Sequence, residues 1–209
     1  QITDISDDSD IVVYITGQAS PHTSSVDAKK MLSTAEWISS TDVARFTKGV
    51  SGVDTQVSYA VVEFTGSNWQ VQRIEHNYQS TNPEFETITD VGDISRAFII
   101  HQHRLSDSGD DGLDELGGQV YLSSSTQVCF DAEASLVTDT QYAVVWIIAN
   151  TETNTQTRMN VQHITGTRST TGSEEDIWTD TITTVSDVTT TSIMGESAAS
   201  TGSGDYYPR

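Results

Sequence analysis

The chain has 209 residues, 30 of them acidic and 10 basic, for a formal net charge of −20. That balance opposes nucleic acid and anionic membranes by Coulomb repulsion, and no apolar run approaches the length that spans a bilayer, so neither nucleic-acid binding nor membrane insertion is expected. A single cysteine, Cys129, excludes an internal disulfide; its place in an alternating apolar stretch predicts a packed thiol.

Short runs rich in Val, Ile, Thr, Tyr and Trp, bounded by Gly, Ser, Asp and Asn and lacking a 3.6-residue period, predict strands along the chain. In order they fall at 11–17, 35–39, 43–48, 57–64, 69–76 and 84–88, then at 97–104, 119–123, 127–131, 141–148, 158–165 and 176–183. Only Ser25 to Leu32 has the pattern of a helical turn. Within 57–64, alternation sets Val57, Tyr59, Val61 and Glu63 on one face and Ser58, Ala60, Val62 and Phe64 on the other. Both faces are largely apolar, and Tyr142 to Ile148 is more apolar still, which predicts strands covered on both sides by a core and by a neighbouring copy or chain.

The chain repeats itself. Ile2-Thr3-Asp4-Ile5 recurs as Ile88-Thr89-Asp90-Val91, ungapped at an offset of 86 as far as Ser20 and Ser106, and again as Thr181 to Val188 over Thr87 to Ile94. Ser40-Thr41-Asp42-Val43 matches Ser125-Thr126-Gln127-Val128, Tyr59-Ala60-Val61-Val62 matches Tyr142-Ala143-Val144-Val145, and Val71-Gln72-Arg73-Ile74 matches Val161-Gln162-His163-Ile164. Collinear order of this kind marks duplication. The expected organisation is all-β: two tandem antiparallel β-sandwich or barrel-like domains at 1–86 and 87–180, then a partial third repeat and low-complexity tail at 181–209. Gln1 in place of an initiator methionine predicts a chain processed or excised from something longer.

Chemistry-bearing patterns are sparse. His101 and His103 share one face of a strand, a spacing that suits zinc or copper, but no third ligand is evident, and structural histidines are the simpler reading. The acidic loop around Asp107 and Asp111 resembles a calcium loop but has Gly109 at the third ligand position and no glutamate at the twelfth. No nucleophile elbow, phosphate-cradling glycine loop or acid–base pair stands out, so no enzyme and no cofactor are expected. Trp69 and Trp146 are candidate sugar-stacking or interface aromatics, with packing the simpler role. A lone strand in 181–194, carrying Ile182, Val185, Val188 and Ile193, exposes unpaired backbone and must find an edge, either closing the second domain or joining a neighbouring subunit.

The segments Tyr59-Ala60-Val61-Val62-Glu63-Phe64, Val71-Gln72-Arg73 and Ile88 to Ile100 resemble a β-rich repeat found in structural proteins of tailed bacteriophages and related viruses. The second copy departs from it, with Trp146-Ile147 for Glu-Phe and His163 for Arg. The resemblance implies a virion structural protein, such as a capsid decoration, head fibre, turret or tail component, located on the virion surface or outside the cell. Its partners would be further copies of itself and other virion proteins, with host-surface glycans as an additional target. The alternative expectation is a glycan-binding adhesin or cell-surface filament module.

Overall fold

A computed structural model describes residues 10–19, 32–52, 54–78, 82–105, 118–132, 141–152, 159 and 161–163. The protein is all-β, with ten strands and no α-helix among the described residues. The strands are β1 (Ile11–Ala19), β2 (Ser33–Ile38), β3 (Val43–Lys48), β4 (Gln56–Glu63), β5 (Trp69–Tyr78), β6 (Glu84–Thr87), β7 (Ala97–Leu105), β8 (Gly118–Ser124), β9 (Gln127–Ala132) and β10 (Gln141–Asn150). Each coincides with an expected strand to within two residues at either end. The helical turn expected at Ser25 to Leu32, apart from Leu32 itself, lies outside the described residues, as does most of the chain beyond Glu152.

Four antiparallel sheets form, β1–β4, β2–β3, β5–β10–β7 and β6–β9–β8. β10 is the centre of the molecule, because every one of its residues from Ala143 to Asn150 is buried. One face, with Ala143, Val145 and Ile147, packs with Ile74 and Ile99 of the flanking strands against Val120, Leu122, Val128 and Phe130 of β8 and β9. The other face, with Trp146 and Ile148, packs against Val12 of β1 and is rimmed by Tyr14, Phe64, Trp69 and Phe98. A third cluster closes β1 and β4 onto β2 and β3 through Ile11, Val13, Ala35, Trp37, Phe46 and Val61. β-branched and aromatic residues dominate these positions, as expected where side chains must fill a pleated, two-sided interior. The two-sided cover expected for this apolar strand is thus found on β10. On β4, Tyr59 stays 46% exposed.

β5 and β6 lie before residue 87 yet pair with β10 and β9, which lie after it. The boundary expected at 86/87 therefore falls inside a six-stranded sandwich made of β5 to β10. Between β6 and β7 the chain is fastened to the β8–β9 turn, with Ile88 N donating to Thr126 O and Val91 N to Ser125 O, each at 2.9 Å. Gly92, at φ +74°, makes the bend that a side chain would strain, and Asp93 caps the following 3-10 turn at Ile94–Arg96 through Ser95 N.

The first four strands and the last four repeat one pairing pattern: β1 with β4 and β2 with β3, then β7 with β10 and β8 with β9. Adding 86 to the partners Ile11↔Glu63 through Ile15↔Tyr59 reproduces Ala97↔Ala149 through His101↔Val145. Tyr59 thus corresponds to Val145, three residues from the Tyr142 that the repeated Tyr-Ala-Val-Val motif selects. An odd shift turns a strand's side chains to the opposite face, and the register follows the core instead of the motif. Val71 and Val161 also part company. Val71 sits in β5 opposite Ile148, whereas Val161 is outside any strand and its N donates to Ser95 O at 2.6 Å.

Candidate functional site

His101 and His103 project from β7 onto the sandwich face, opposite Val145 and Ala143 of β10. Their rings meet edge-on, His101 Nδ1 lying 2.7 Å from His103 Nε2. A hydrogen bond this short needs one ring nitrogen to carry a proton and the other to be free of one. Across Ala143 from His103 stands His76 of β5, on the same face. Its two ring nitrogens reach Glu86 Oε1 at 2.9 Å and Glu84 Oε2 at 3.1 Å, and its ring stacks on Phe130 with centroids 4.2 Å apart. β6 is only four residues long, and its two inward-facing carboxylates are tied to β5 by this one imidazole. Among the described residues no group of three His, Cys, Asp or Glu is arranged to hold a metal ion. Asp107 and Asp111 lie outside the described residues.

The residue between the two histidines has the more consequential position. Gln102 points to the opposite face of β7, where it is buried. Its Oε1 accepts from Ala35 N of β2 and its Nε2 donates to Val13 O of β1, both at 3.1 Å. One side chain thereby satisfies backbone groups on two strands and ties both to the central sheet.

The same seam carries a chain of charges. Arg104 donates to Thr34 Oγ1 at 2.8 Å and to Glu75 Oε1 at 2.6 Å, and lies 4.5 Å above the Tyr142 ring. Arg73 donates to Glu75 Oε2 at 3.2 Å and stands 3.7 Å from Glu36 Oε2. Glu36 accepts in turn from Arg45 at 2.6 Å. Burial by itself pushes the Glu75 carboxyl up, but the hydrogen bonds and charges of Arg104 and Arg73 outweigh it and hold the group below the usual carboxylate range. Arg45, Arg73 and Arg104 are three of the chain's ten basic residues, concentrated where β2 meets β5, β7 and β10. This alternation of arginine and glutamate joins elements; it presents no group poised for proton transfer or nucleophilic attack.

Trp146 is buried in the same seam, only 4% exposed, within the cluster that joins β1 to the central sheet. It offers no open face on which a sugar ring could stack. Trp69 is half-buried against Phe64, with centroids 5.0 Å apart. Cys129 is fully buried on the outer side of β9, and burial pushes its thiol up, with the Tyr121 hydrogen bond opposing and Asp131 adding to the shift. Its partner Tyr121 is itself pushed up to about 12, first by that hydrogen bond and then by burial. Both groups stay neutral at physiological pH, so the site holds no activated thiolate. The strand residues Ile182, Val185, Val188 and Ile193 lie outside the described residues.

Gln102 and the arginine–glutamate chain carry little local signal in the sequence. Gln102 stands in a polar run, His101-Gln102-His103-Arg104, whose composition does not distinguish the residue that turns inward from its neighbours. No protein-family model, curated protein or solved structure matches the chain.

Proposed function

We propose that this chain is a non-enzymatic structural protein of a virion surface, a capsid decoration, head-fibre, turret or tail component serving assembly, stabilisation or attachment. The observation that carries the reading is the crossing of β5 and β6 into the sheets of β10 and β9. Consecutive segments laced together by whole strands separate only when entire backbone ladders are lost, the kind of cohesion a load-bearing component requires. The resemblance of the β4, β5 and 88–100 segments to repeats in phage structural proteins supports the same reading. So does a seam whose arginines, glutamates and glutamine are engaged in holding strands together.

The partners under this reading are further copies of the chain and other virion proteins, with the strand at 181–194 as an adhesive element. A glycan-binding adhesin has less support, since Trp146 is buried; a glycan array read with and without calcium distinguishes the two. Mass spectrometry of purified particles, followed by particle reconstruction, is the direct test. The chain is expected as a stoichiometric component with its β-sandwich visible at the particle surface. Recovery of the chain solely as free monomer, absent from particles, would overturn the proposal.

A further inference from the structure

We propose that the imidazoles of His101 and His103 form a two-nitrogen chelate for a divalent copper-class ion, on the face of β7 that they share with Ala143 and Val145 of β10. Both side chains point the same way because they stand two residues apart on one strand, and both residues are half-buried, reachable by a dissolved ion yet held in place by the sheet.

The geometry of the pair carries the inference. Its ring centres lie 4.8 Å apart with the planes at 88°, and His101 Nδ1 is 2.7 Å from His103 Nε2. A metal–nitrogen bond of about 2.0 Å, extended by about 1.2 Å from the nitrogen to the middle of its ring, sets each ring centre ~3.2 Å from a shared ion. Centres 4.8 Å apart then subtend ~97° at that ion, with the two nitrogens ~3.0 Å from each other. The rings therefore need no displacement. They pivot about their centres, opening the nitrogens from 2.7 Å to ~3.0 Å, and the ion takes the place of the proton they share. An angle close to a right angle suits the square-planar or tetragonal shell of Cu(II) or Ni(II) better than the tetrahedral shell of zinc, and copper stands highest in the affinity order for such donors.

The surroundings favour a cation. On β5, β7 and β10 no lysine or arginine shares the histidine face, since Arg73 and Arg104 turn to the other side of the sheet, opposite Trp146 and Tyr142. His76, across Ala143 on the same face, is not a third ligand: its two ring nitrogens are taken up by Glu86 and Glu84. Those carboxylates and the net charge of −20 raise the local concentration of cations. The chain's one thiol, Cys129, is buried on the outer side of β9 and does not compete for the metal. With two protein donors, water completes the shell, so the site binds reversibly and places an ion at the surface of the sandwich.

The inference stands on ring geometry and is independent of the virion reading, which particle analysis decides. The test is a titration of the full chain with copper(II) chloride in a non-coordinating buffer, followed by electron paramagnetic resonance and by amide NMR. One equivalent should bind first and give a tetragonal copper signal split by two nitrogens. The amide signals lost first should be those of His101 to His103 and of Ala143 and Val145 opposite them. His101→Thr and His103→Thr should each weaken binding at least about tenfold, because loss of even an outer-shell partner of a metal costs about 10–100-fold. His163→Thr should leave the affinity unchanged. Should either strand variant fail to fold, the pattern of signal loss in the parent decides alone. Undiminished binding by a folded His101→Thr chain overturns the proposal. So does splitting by fewer than two nitrogens, or signal loss centred elsewhere, as from copper scattered over surface carboxylates.

Discussion

Replacing Gln102 with methionine tests whether the seam between β1, β2 and the central sheet is held by hydrogen bonds or by burial alone. Methionine keeps nearly the same length and volume, so the cavity contribution is small. What is lost is the donor to Val13 O and the acceptor for Ala35 N, each bond 3.1 Å long and buried. Leaving a buried backbone group without its partner costs about 1–3 kcal/mol. With two such groups the expected loss is about 2–6 kcal/mol, a large share of the roughly 5–15 kcal/mol typical of a folded domain. Urea unfolding followed by tryptophan fluorescence reads this directly, since Trp146 lies in the same seam. A Gln102→Glu variant sharpens the test. A buried carboxylate could accept from Ala35 N but not donate to Val13 O, and burial would raise its folded pKa. The variant should therefore approach the parent at pH values below the ordinary glutamate range and fall behind as pH rises through the raised value. A loss below about 0.5 kcal/mol for Gln102→Met, within the range of ordinary surface substitutions, would refute the reasoning and assign the seam to apolar packing.

His76→Ala should free β6 by removing the ring between Glu84 and Glu86 and its stack on Phe130. A loss of about 1–3 kcal/mol is expected, with hydrogen exchange accelerated first at Glu84–Thr87; equal acceleration across all strands would contradict it. Cys129 should resist thiol reagents in the native protein and react fully in denaturant, as labelling followed by mass spectrometry can check. Stability should hold above the ordinary carboxylate range and decline as pH falls below about 4. The reason is that Glu75, Asp90 and Asp93 all have depressed values in the fold: Glu75 through Arg104 and Arg73 against its burial, Asp90 through Gly92 N, and Asp93 through Ser95. Depressed carboxyls stabilise while ionised and lose that contribution on protonation. A melting curve unchanged between pH 6 and pH 3 would contradict it.

Strands were legible because alternation and β-branched content are local properties, and β3 at Val43–Lys48 coincides with its expected limits. Which strand pairs with which was not, because pairing is decided by where apolar faces meet across long stretches of chain. β5 and β6 read as the close of a first domain by order alone, yet β5 lies along β10 and β6 along β9. The Tyr-Ala-Val-Val match misaligned β4 with β10 for a related reason: Val and Ala recur often enough in strands that a short motif fits at several offsets, while register admits one. His101 and His103 stand out by their spacing. Gln102 between them is one of four consecutive polar residues, His101 to Arg104, and nothing local tells which backbone groups it meets.

The six-stranded sandwich begins at Trp69, opposite Asn150 where it ends. Asn68 O accepts from Thr151 N at 2.7 Å just outside that pair. The polypeptide therefore enters β5 and leaves β10 side by side, through a gate a hydrogen bond wide, and Val161 and His163 return to the start of β7. The first strands nevertheless grip the sandwich along a whole seam, through Val12 packed on Trp146 and Ile148 and through Gln102 bonded to Val13 O and Ala35 N, so it is a body entered at one point and held at many. Tension applied at that gate meets at once the rungs that carry the core, since Ile148 and Ala149 lie fully buried just inside it.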